Sequence, residues 1–461
     1  MKNIFLLVSL SIVLFQLQAQ SIKGNFPSLK GQLIHLFGFK GIKTYCIDSA
    51  KVTENGEFIL KYLAKDYGMG YISDSANKIY MIVLEKDSIL IKGETLASNE
   101  SIITLKGCEN INFERYAIDH SKREQVLRAW KYLEKIYSTD TLFLNQGTAI
   151  KSIAKEIKFV EAQDNDFISH LPNSTYIGWY LQLRRFLSLV PTIAQYSINK
   201  IPATLATFRN IKYDDSRLYK SGLLSVVLEN QFWLIENMGL PLDTVFKEMN
   251  VSAEIILEGV LTNEGLFNEV TNFLFDYFEK HSLFKVSEYL ALKAMNQKVV
   301  QLSPNLLIKL EGYLTMKKGN IAPEITFTGD IIKKGDIITK PSRLSEINSQ
   351  YKVVIFGASW CSACSEEMAQ LLLLYDKWKA RGLEVLFVSL DTDQKVFKDY
   401  TSVLPFISFC DYKKWDTQAA KDYYVFSSPT IFLLNQKNKI LLKVPYIRGI
   451  DTWVDYGMKT D

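Results

Sequence analysis

Cysteine and histidine are both scarce in this sequence. The chain has 461 residues but only five cysteines and four histidines. So few cysteines exclude a scaffold held together by many disulfide bonds, which is far richer in cysteine. A structural zinc site usually needs four cysteine or histidine ligands, and every histidine lies far upstream of the closest cysteine pair. The fold must therefore depend on apolar cores, for which 48% hydrophobic residues are sufficient.

The sequence also lacks an excess of charge of one sign. Its 54 basic residues nearly balance its 50 acidic ones, which leaves a net charge of +4. A nucleic-acid-binding protein usually carries a concentrated basic face, so we expect no nucleic acid among the partners. The length exceeds what one compact core normally serves, and it predicts two to four domains.

Long apolar runs are missing after the first twenty residues. There, "MKN" supplies a positive charge, "IFLLVSLSIVLFQL" is continuously apolar, and Ala19 is a small residue suited to cleavage. This order predicts a signal peptide over residues 1–19 and an exported, periplasmic protein. The alternative, a membrane anchor, needs about 20 apolar residues, more than this run provides. No cysteine follows the cleavage point closely, so a lipid anchor is not expected.

Three regions of different pattern follow the predicted signal peptide. Residues 21–112 are β-rich, with Asn55-Gly56 and the segment 85–88 each lying between strand-like runs, as in hairpins. Residues 113–315 are rich in helical patterns such as "REQVLRAWKYLEKIY", whose apolar residues recur three or four apart. The "MKKGNIAPEI" stretch marks a linker.

Strands and helices alternate from residue 320 to residue 461. "KVVIF" and "LEVLFVSLD" are apolar strands around the helical pattern "SEEMAQLLLLYDKWKARG", and "PTIFLLN" with "KILLKV" forms a closing hairpin. This β-α-β order predicts a mixed sheet covered by helices. The predicted fold class is therefore multidomain: a β-rich N-terminal domain, an all-α middle region and a C-terminal α/β domain.

The most informative residues are Cys361 and Cys364 in "WCSAC". Cys361 falls where a predicted strand turns into a helix, and the helix dipole there lowers a thiol pKa below its free value of about 8.5. Cys364, one turn later, can attack a mixed disulfide formed at Cys361. A metal site lacks further ligands, and a structural bridge across so short a loop would stabilise little. A redox-active pair is the favoured interpretation.

The remaining cysteines are given structural interpretations. Cys410 ends the apolar run "PFISFC" and is expected to be a buried thiol. Cys46 and Cys108 both fall in the β-rich region, where they either form a bridge or are buried thiols. The pattern does not decide between these two alternatives.

The segments "VVIFGASWCSAC", "SEEM", "LFVSLD" and "SSPTIFLLN" resemble the thioredoxin superfamily. More narrowly, residues 320–461 are similar to exported TlpA/ResA-like thiol-disulfide oxidoreductases. The β-rich first region resembles a module that precedes such domains in exported proteins of the Bacteroidetes type. The resemblance implies a thioredoxin-like fold for the C-terminal third, with no metal or other cofactor.

The same resemblance implies roles for individual residues. Cys361 and Cys364 would be the catalytic pair, and Glu367 would assist proton transfer. Trp360, Ser428 and Pro429 would contact the substrate, with Pro429 in the cis form opposite the cysteines. The alternative for Glu367 is a solvated carboxylate in the first turn of a helix, where the dipole favours it.

Several positions depart from the family pattern. Ser362 and Ala363 lie between the cysteines, where the family commonly has proline before the second one. These residues influence the reduction potential, so the direction of electron flow stays open. Ile355 replaces a buried aspartate of thioredoxins proper, which increases the interest of Glu367. Gly357 replaces a common tryptophan.

The leading functional hypothesis is an exported thiol-disulfide oxidoreductase. Its partners would be proteins with thiols or disulfides, together with a membrane redox partner that supplies electrons. The alternative hypothesis is a non-enzymatic envelope scaffold, in which the upstream two thirds bind a partner and the thioredoxin-like part is a docking module. A peroxidase is not supported, since the peroxiredoxin-type "PxxxTxxC" pattern is missing.

Overall fold

The computed structural model describes residues 20–97, 101–172 and 174–459. The signal peptide predicted for residues 1–19 therefore lies outside the described residues. The chain divides into two compact units, one ending at Gly239 and the other starting at Leu240. The domain boundaries predicted above follow changes of sequence pattern, which this division does not test, and they stay predictions. None of the described helices has the length and apolarity needed to cross a membrane.

The first unit begins with two β-sheets that share one apolar core. One sheet has the strand order β4-β1-β7-β8 and the other β3-β2-β5-β6. Side chains alternate along the strands, so that Phe58, Leu60 and Tyr62 of β4 are buried while their neighbours are exposed. The strands are β1 (Gln20–Asn25), β2 (Leu33–Lys40), β3 (Lys43–Lys51), β4 (Glu57–Tyr62), β5 (Gly68–Ser73), β6 (Ile79–Leu84), β7 (Ile89–Lys92) and β8 (Ile103–Lys106).

The two hairpins predicted from turn signals are wrong. A turn does exist at Asn55-Gly56, and Gly56 has the positive φ of 80° that favours glycine. However, β3 pairs with β2 and β4 pairs with β1, so the turn carries the chain from one sheet to the other. The turn at residues 85–88 does the same between β6 and β7. Turn chemistry indicated the chain reversal correctly but not the pairing partner.

Helices complete the first unit. Asn110, in the first turn of α1, ties this helix to the sheet, because its side-chain amide bonds both the N–H and the carbonyl of Val83 at 2.8 Å. The helices are α1 (Cys108–Thr139), α2 (Gly147–Ser169), α3 (Tyr176–Tyr196), α4 (Ile201–Arg209), α5 (Ser216–Tyr219) and α6 (Leu224–Glu236).

The second unit opens with four consecutive helices followed by the predicted α/β region. The helices are α7 (Leu242–Gly259), α8 (Glu264–Lys280), α9 (Phe284–Met295) and α10 (Pro304–Thr315). The α/β region contains β9 (Asp330–Lys333), β10 (Asp336–Ile337), β11 (Tyr351–Gly357), α11 (Ser362–Ala380), β12 (Leu383–Ser389), α12 (Gln394–Thr401), β13 (Ile407–Cys410), α13 (Gln418–Asp422), β14 (Thr430–Asn435), β15 (Ile440–Val444) and α14 (Ile447–Tyr456). The predicted fold class is confirmed.

The sheet of the second unit has the order β10-β9-β13-β12-β11-β14-β15. Strands β11, β12 and β13 are parallel, and β14 pairs antiparallel to β11. Every residue of β11 and β12 is buried, as expected for central strands covered on both faces. Helices α11 and α14 pack on one face around Trp378 and Ile450. The end of β11 is thereby held rigidly at the edge where the cysteine pair begins.

Candidate active site

Cys361 lies at the junction between β11 and α11, as predicted. It is the N-cap residue of α11, with extended φ and ψ of −94° and 106°. The amide of Cys364 points at the Cys361 sulfur, with 3.1 Å between N and Sγ. An amide and a helix N-terminus directed at this sulfur both favour a negative charge on it.

Cys361 and Cys364 form a disulfide bond with their Cα atoms 5.2 Å apart. Cys361 is 9% exposed, whereas Cys364 is only 1% exposed. Cys361 is therefore the less deeply buried residue of the two. This asymmetry is the arrangement that a thiol attacking first and a thiol resolving second require.

The Ser428–Pro429 peptide bond is cis, as the resemblance implied. The carbonyl oxygen of Ser428 lies 3.6 Å from the Cys361 sulfur. The structure thus brings Ser428 next to the cysteine pair, although more than sixty residues of sequence separate it from both cysteines. The substrate-contacting roles of Ser428 and Pro429 stay predictions.

Asp391 supports the segment before Cys361 and was not identified from the sequence. This carboxylate is 1% exposed and follows the end of β12. It accepts a hydrogen bond from the Ser359 hydroxyl at 2.7 Å and another from the Ser389 hydroxyl at 2.6 Å. The signal that could have found it is an aspartate at the carboxyl end of an apolar strand next to the cysteine-bearing strand.

Gly357 leaves room for the buried sulfur. A Cβ atom at this position would lie 3.3 Å from Sγ of Cys364 and 2.9 Å from the ring of Phe387. Any side chain here would press on both groups. Glycine at position 357, where the family commonly has tryptophan, therefore fits the close packing around Cys364.

Trp360 lies on the surface next to the disulfide. Its side chain is 52% exposed, and its ring packs edge-on to Trp415 with 6.3 Å between centroids. The ammonium group of Lys414 lies 5.2 Å from the centre of the Trp360 ring. Such an exposed aromatic surface suits contact with another polypeptide, and the substrate-binding role of Trp360 stays a prediction.

Glu367 lies in α11, one turn beyond Cys364. Its Oε2 accepts a hydrogen bond from the amide of Ile447 at 2.6 Å and so caps the start of α14. This contact adds a structural role to the proton-transfer role implied by the resemblance. Neither excludes the other, and the proton-transfer role stays a prediction.

The cysteines outside the pair are free thiols. Cys410 is buried at the end of β13, as predicted, and burial raises the pKa of its thiol to about 11. Cys46 and Cys108 are also free, but both are exposed. The two alternatives considered for them, a bridge or two buried thiols, are therefore both wrong.

A buried ion pair connects the helices of the second unit to its sheet near the Ser428–Pro429 loop. Lys443 of β15 donates to Glu279 of α8 at 3.1 Å, and these side chains are only 11% and 2% exposed. Burial lowers the pKa of Lys443, and Glu279 acts in the opposite direction. The carbonyl of Glu279 also accepts a hydrogen bond from the Ser427 hydroxyl at 3.1 Å. One residue of α8 thus holds both β15 and the loop that faces the cysteines.

Comparison with known proteins points to the same C-terminal region as the site geometry. Residues 348–440 match the family model described as "Thioredoxin-like". The C-terminal region is thioredoxin-like. The resemblance stated from the sequence is confirmed for this part of the chain, and the β-rich region predicted ahead of it is present in the structure.

Curated relatives match mainly through this region. Over 138 residues, the chain is 25% identical to the thiol-disulfide oxidoreductase ResA of Bacillus thuringiensis. This match covers 29% of this chain and 75% of that protein. Over 112 residues, the chain is 29% identical to the sporulation thiol-disulfide oxidoreductase A of Bacillus subtilis, covering 23% and 63% respectively. The probable nucleoredoxin 3 of Oryza sativa is 29% identical over 100 residues, 21% of either chain.

The chain thus spans between about a fifth and three quarters of the length of these relatives. The prediction that the C-terminal region is an oxidoreductase of thioredoxin-like type is confirmed at the level of the family. The activity of the whole chain, its substrates and its location are matters of proposal.

Proposed function

We propose that this protein is an exported thiol-disulfide oxidoreductase that exchanges disulfides with partner proteins. The observation that carries the proposal is the Cys361–Cys364 disulfide at a strand-to-helix junction, with the less buried cysteine, Cys361, capping the helix. Export rests on the pattern of residues 1–19, and a periplasmic location follows from it. The direction of electron flow in the cell depends on a membrane redox partner that supplies electrons.

In the reducing direction, the Cys361 thiolate attacks one sulfur of a partner disulfide. The partner's S–S bond breaks, a Cys361–partner bond forms, and the departing partner thiolate takes up a proton. Cys364 then loses its proton and attacks the Cys361 sulfur, which releases the second partner thiol. Two electrons pass to the partner, and the chain is left with the Cys361–Cys364 disulfide.

The surrounding groups assist this sequence. The amide of Cys364 and the N-terminus of α11 stabilise the Cys361 thiolate, both as attacker and as leaving group. Trp360 contributes an apolar contact, and the backbone at Ser428 lies beside the reacting sulfur. Glu367 receives the Cys364 proton when the mixed disulfide is resolved.

The experiment measures insulin disulfide reduction by the full chain with dithiothreitol as electron source. Cys361→Ser is expected to abolish the activity. Cys364→Ser is expected to accumulate a mixed disulfide through Cys361, detectable as a covalent adduct that a reductant releases. Full activity of Cys361→Ser, or a mixed disulfide through Cys364 in the Cys361→Ser variant, would refute the proposal.

A further inference from the structure

A groove of about 650 Å³ lies in the second unit beside the thioredoxin-like sheet. Its lining is largely apolar, with charged groups at its margin. The lining residues are Asn305, Ile308, Lys309, Trp415, Ala420, Lys421, Asp422, Tyr424, Val425 and Phe426. A volume of this size accommodates several side chains of a bound molecule.

The two walls of the groove come from different parts of the chain. One wall is helix α10, which contributes Ile308 with 64% of its side chain exposed. The other wall is the segment from residue 415 to residue 426, which includes α13 and leads into the Ser428–Pro429 loop. Helix α10 lies outside the region 348–440 that matches the thioredoxin-like family. The groove is therefore a feature that the helices add to the redox domain.

The groove is continuous with the surface around the disulfide. Trp415 lines the groove and packs against Trp360, the residue before Cys361. At the other end, Phe426 lies two residues before Ser428, whose carbonyl is 3.6 Å from the Cys361 sulfur. Trp415 and the segment that leads into Ser428 therefore connect the groove with the residues beside Cys361.

The walls are held in place before any partner arrives. Tyr424 packs directly onto Gly312 of α10, where a Cβ atom would overlap the phenol ring. Lys309 donates to Asn272 at 2.9 Å and lies 5.5 Å from the centre of the Phe426 ring. A preformed groove costs a ligand less ordering free energy than a flexible surface would.

The two lysines at the margin are already paired within the chain, and the carboxylate of Asp422 accepts a hydrogen bond from a neighbouring side-chain amide. Lys309 binds Asp276 at 2.5 Å, and Lys421 binds Asp416 at 2.9 Å. The aromatic rings and Ile308 are therefore the groups with contacts left to gain, because part of their apolar surface faces water. An apolar side chain fits this groove better than a charged one.

We propose that this groove binds the segment next to the reacting cysteine of a partner polypeptide, with an aromatic or large aliphatic side chain of that segment between α10 and Phe426. The inference rests on the proposed function and names its substrate preference. Helix α10 then acts as a specificity element: it does not touch the sulfur atoms but determines which polypeptides reach them efficiently.

The test compares two kinds of substrate for the reduced full-length chain. One is 2-hydroxyethyl disulfide, which is too small to extend from Cys361 into the groove. The other is a pair of synthetic peptides with one internal disulfide, identical except for phenylalanine or serine in the residues flanking the cysteines. The unmodified chain, reduced beforehand, is expected to transfer its electrons to the phenylalanine peptide with a second-order rate constant about 10-fold higher than to the serine peptide, the scale of discrimination that an apolar pocket gives.

The variant is Ile308→Asp, and the matched control is Leu373→Asp. Both side chains are exposed on helices of the same unit, at 64% and 86%, but Leu373 does not line the groove. Ile308→Asp is expected to remove the preference for phenylalanine and to leave the rate with 2-hydroxyethyl disulfide unchanged, which also reports that the domain is folded. Leu373→Asp is expected to change neither the preference for phenylalanine nor the rate with 2-hydroxyethyl disulfide.

Each outcome separates the inference from the function beneath it. If the unmodified chain reduces both peptides at equal rates, or if Ile308→Asp keeps the preference for phenylalanine, the groove does not bind substrate. The proposed disulfide reduction would still stand. If Ile308→Asp lowers the reduction rate equally for the small disulfide and for the peptides, the inference is also overturned, because the residue would then act on the sulfur chemistry. If the unmodified chain reduces none of these substrates, the proposed function and the inference are both refuted.

Discussion

At the scale of single residues, the site is a set of contacts made to two sulfur atoms. The spacing in "WCSAC" and the strand before it were enough to predict that Cys361 begins the helix, and the structure places it there. Both cysteines are buried, Cys361 at 9% exposure and Cys364 at 1%, so the expected difference in accessibility is small. Asp391 and Gly357 could not be interpreted in the same way. Their importance depends on which strands are neighbours, and a single sequence does not state this.

Glu367 is the residue whose role most needs a test. Replacement by glutamine keeps an oxygen that can accept the hydrogen bond from Ile447, but it removes the proton acceptor. If the carboxylate relays protons, we expect Glu367→Gln to slow resolution of the mixed disulfide by about 100-fold, the low end for general base catalysis, with the thermal midpoint unchanged. Stopped-flow kinetics between pH 5 and pH 9 would measure this.

Glu367→Ala is the matched control for the capping role. It removes both the proton acceptor and the cap, so it should slow resolution and also lower the thermal midpoint. Wild-type kinetics and an unaltered pH profile in Glu367→Gln would show that the residue only caps α14.

At the scale of elements, His120 is a group through which pH acts on the first unit near neutrality. It is buried on α1, and its ring bonds Asp164 of α2 at 2.6 Å and lies near Glu124. Burial alone would lower the pKa of His120, but hydrogen bonds to Asp164 and Glu124 raise it above the usual 6.5. Arg123 also binds Asp164, and Tyr116 contacts the ring, so the α1–α2 contact contains several polar partners.

A pKa raised in the folded state predicts a definite sign. The folded protein binds the proton more tightly than the unfolded chain, so the stabilisation is complete below pH 6.5 and is lost as the pH rises through the higher folded value. We expect the urea midpoint of the first unit to fall over that window, and His120→Gln to remove this fall. A difference between the two proteins that does not vary with pH would contradict the assignment.

The contact between α10 and Tyr424 makes a second prediction at this scale. A methyl group at Gly312 cannot fit unless Tyr424 moves. We expect Gly312→Ala to destabilise the second unit by about 1–3 kcal/mol, the usual range for overpacking, as measured by chemical denaturation. Combining it with Tyr424→Ala should reduce the penalty, since the clashing ring is then absent.

Gly265 offers the matched control, because it also lies in a helix of the second unit but a Cβ there would make an ordinary contact, 3.5 Å from Oδ1 of Asn263. Gly265→Ala should be neutral or slightly stabilising, since alanine is the better helix former by about 1 kcal/mol. A similar effect of alanine at both glycines would mean that the Tyr424 contact is unimportant.

Elements also show where prediction from sequence succeeds and fails. Periodicity and the alternation of strands with helices were sufficient for the C-terminal region, because its neighbouring strands follow a β-α-β order. The β-rich region was harder, since β3 and β4 are adjacent in sequence but belong to different sheets. Local turn residues fix where the chain reverses, whereas pairing depends on apolar surfaces that meet only in the folded state.

At the scale of the whole molecule, helices α7–α10 belong to the same compact unit as the thioredoxin-like region. Glu279 of α8 pairs with the buried Lys443, and Phe275 of α8 packs edge-on to Phe426 at 5.9 Å. A fragment that starts at residue 320 would leave Lys443 without this partner and would expose the rings beside it. The shorter homology region is therefore not expected to be the stable unit.

Two truncations test this expectation. Residues 240–461 should unfold in one cooperative transition and reduce insulin disulfides, whereas residues 320–461 should be less stable by about 2 kcal/mol or more, the scale for exposing one buried apolar side chain to water. Chemical denaturation and the insulin assay measure the two properties. Equal stability of the fragments would contradict the structural role given to α8. Activity without residues 20–239 would also count against a scaffold in which the redox part is only a docking module.

The central claim is that Cys361 reacts first because it is a thiolate held at a helix N-terminus. Alkylation of the reduced chain with iodoacetamide across pH 4–10, followed by peptide mapping, tests this most directly. We predict that Cys361 is modified before Cys364, with an apparent pKa below the free value of about 8.5. Faster modification of Cys364, or an apparent pKa of Cys361 above 9, would contradict the account.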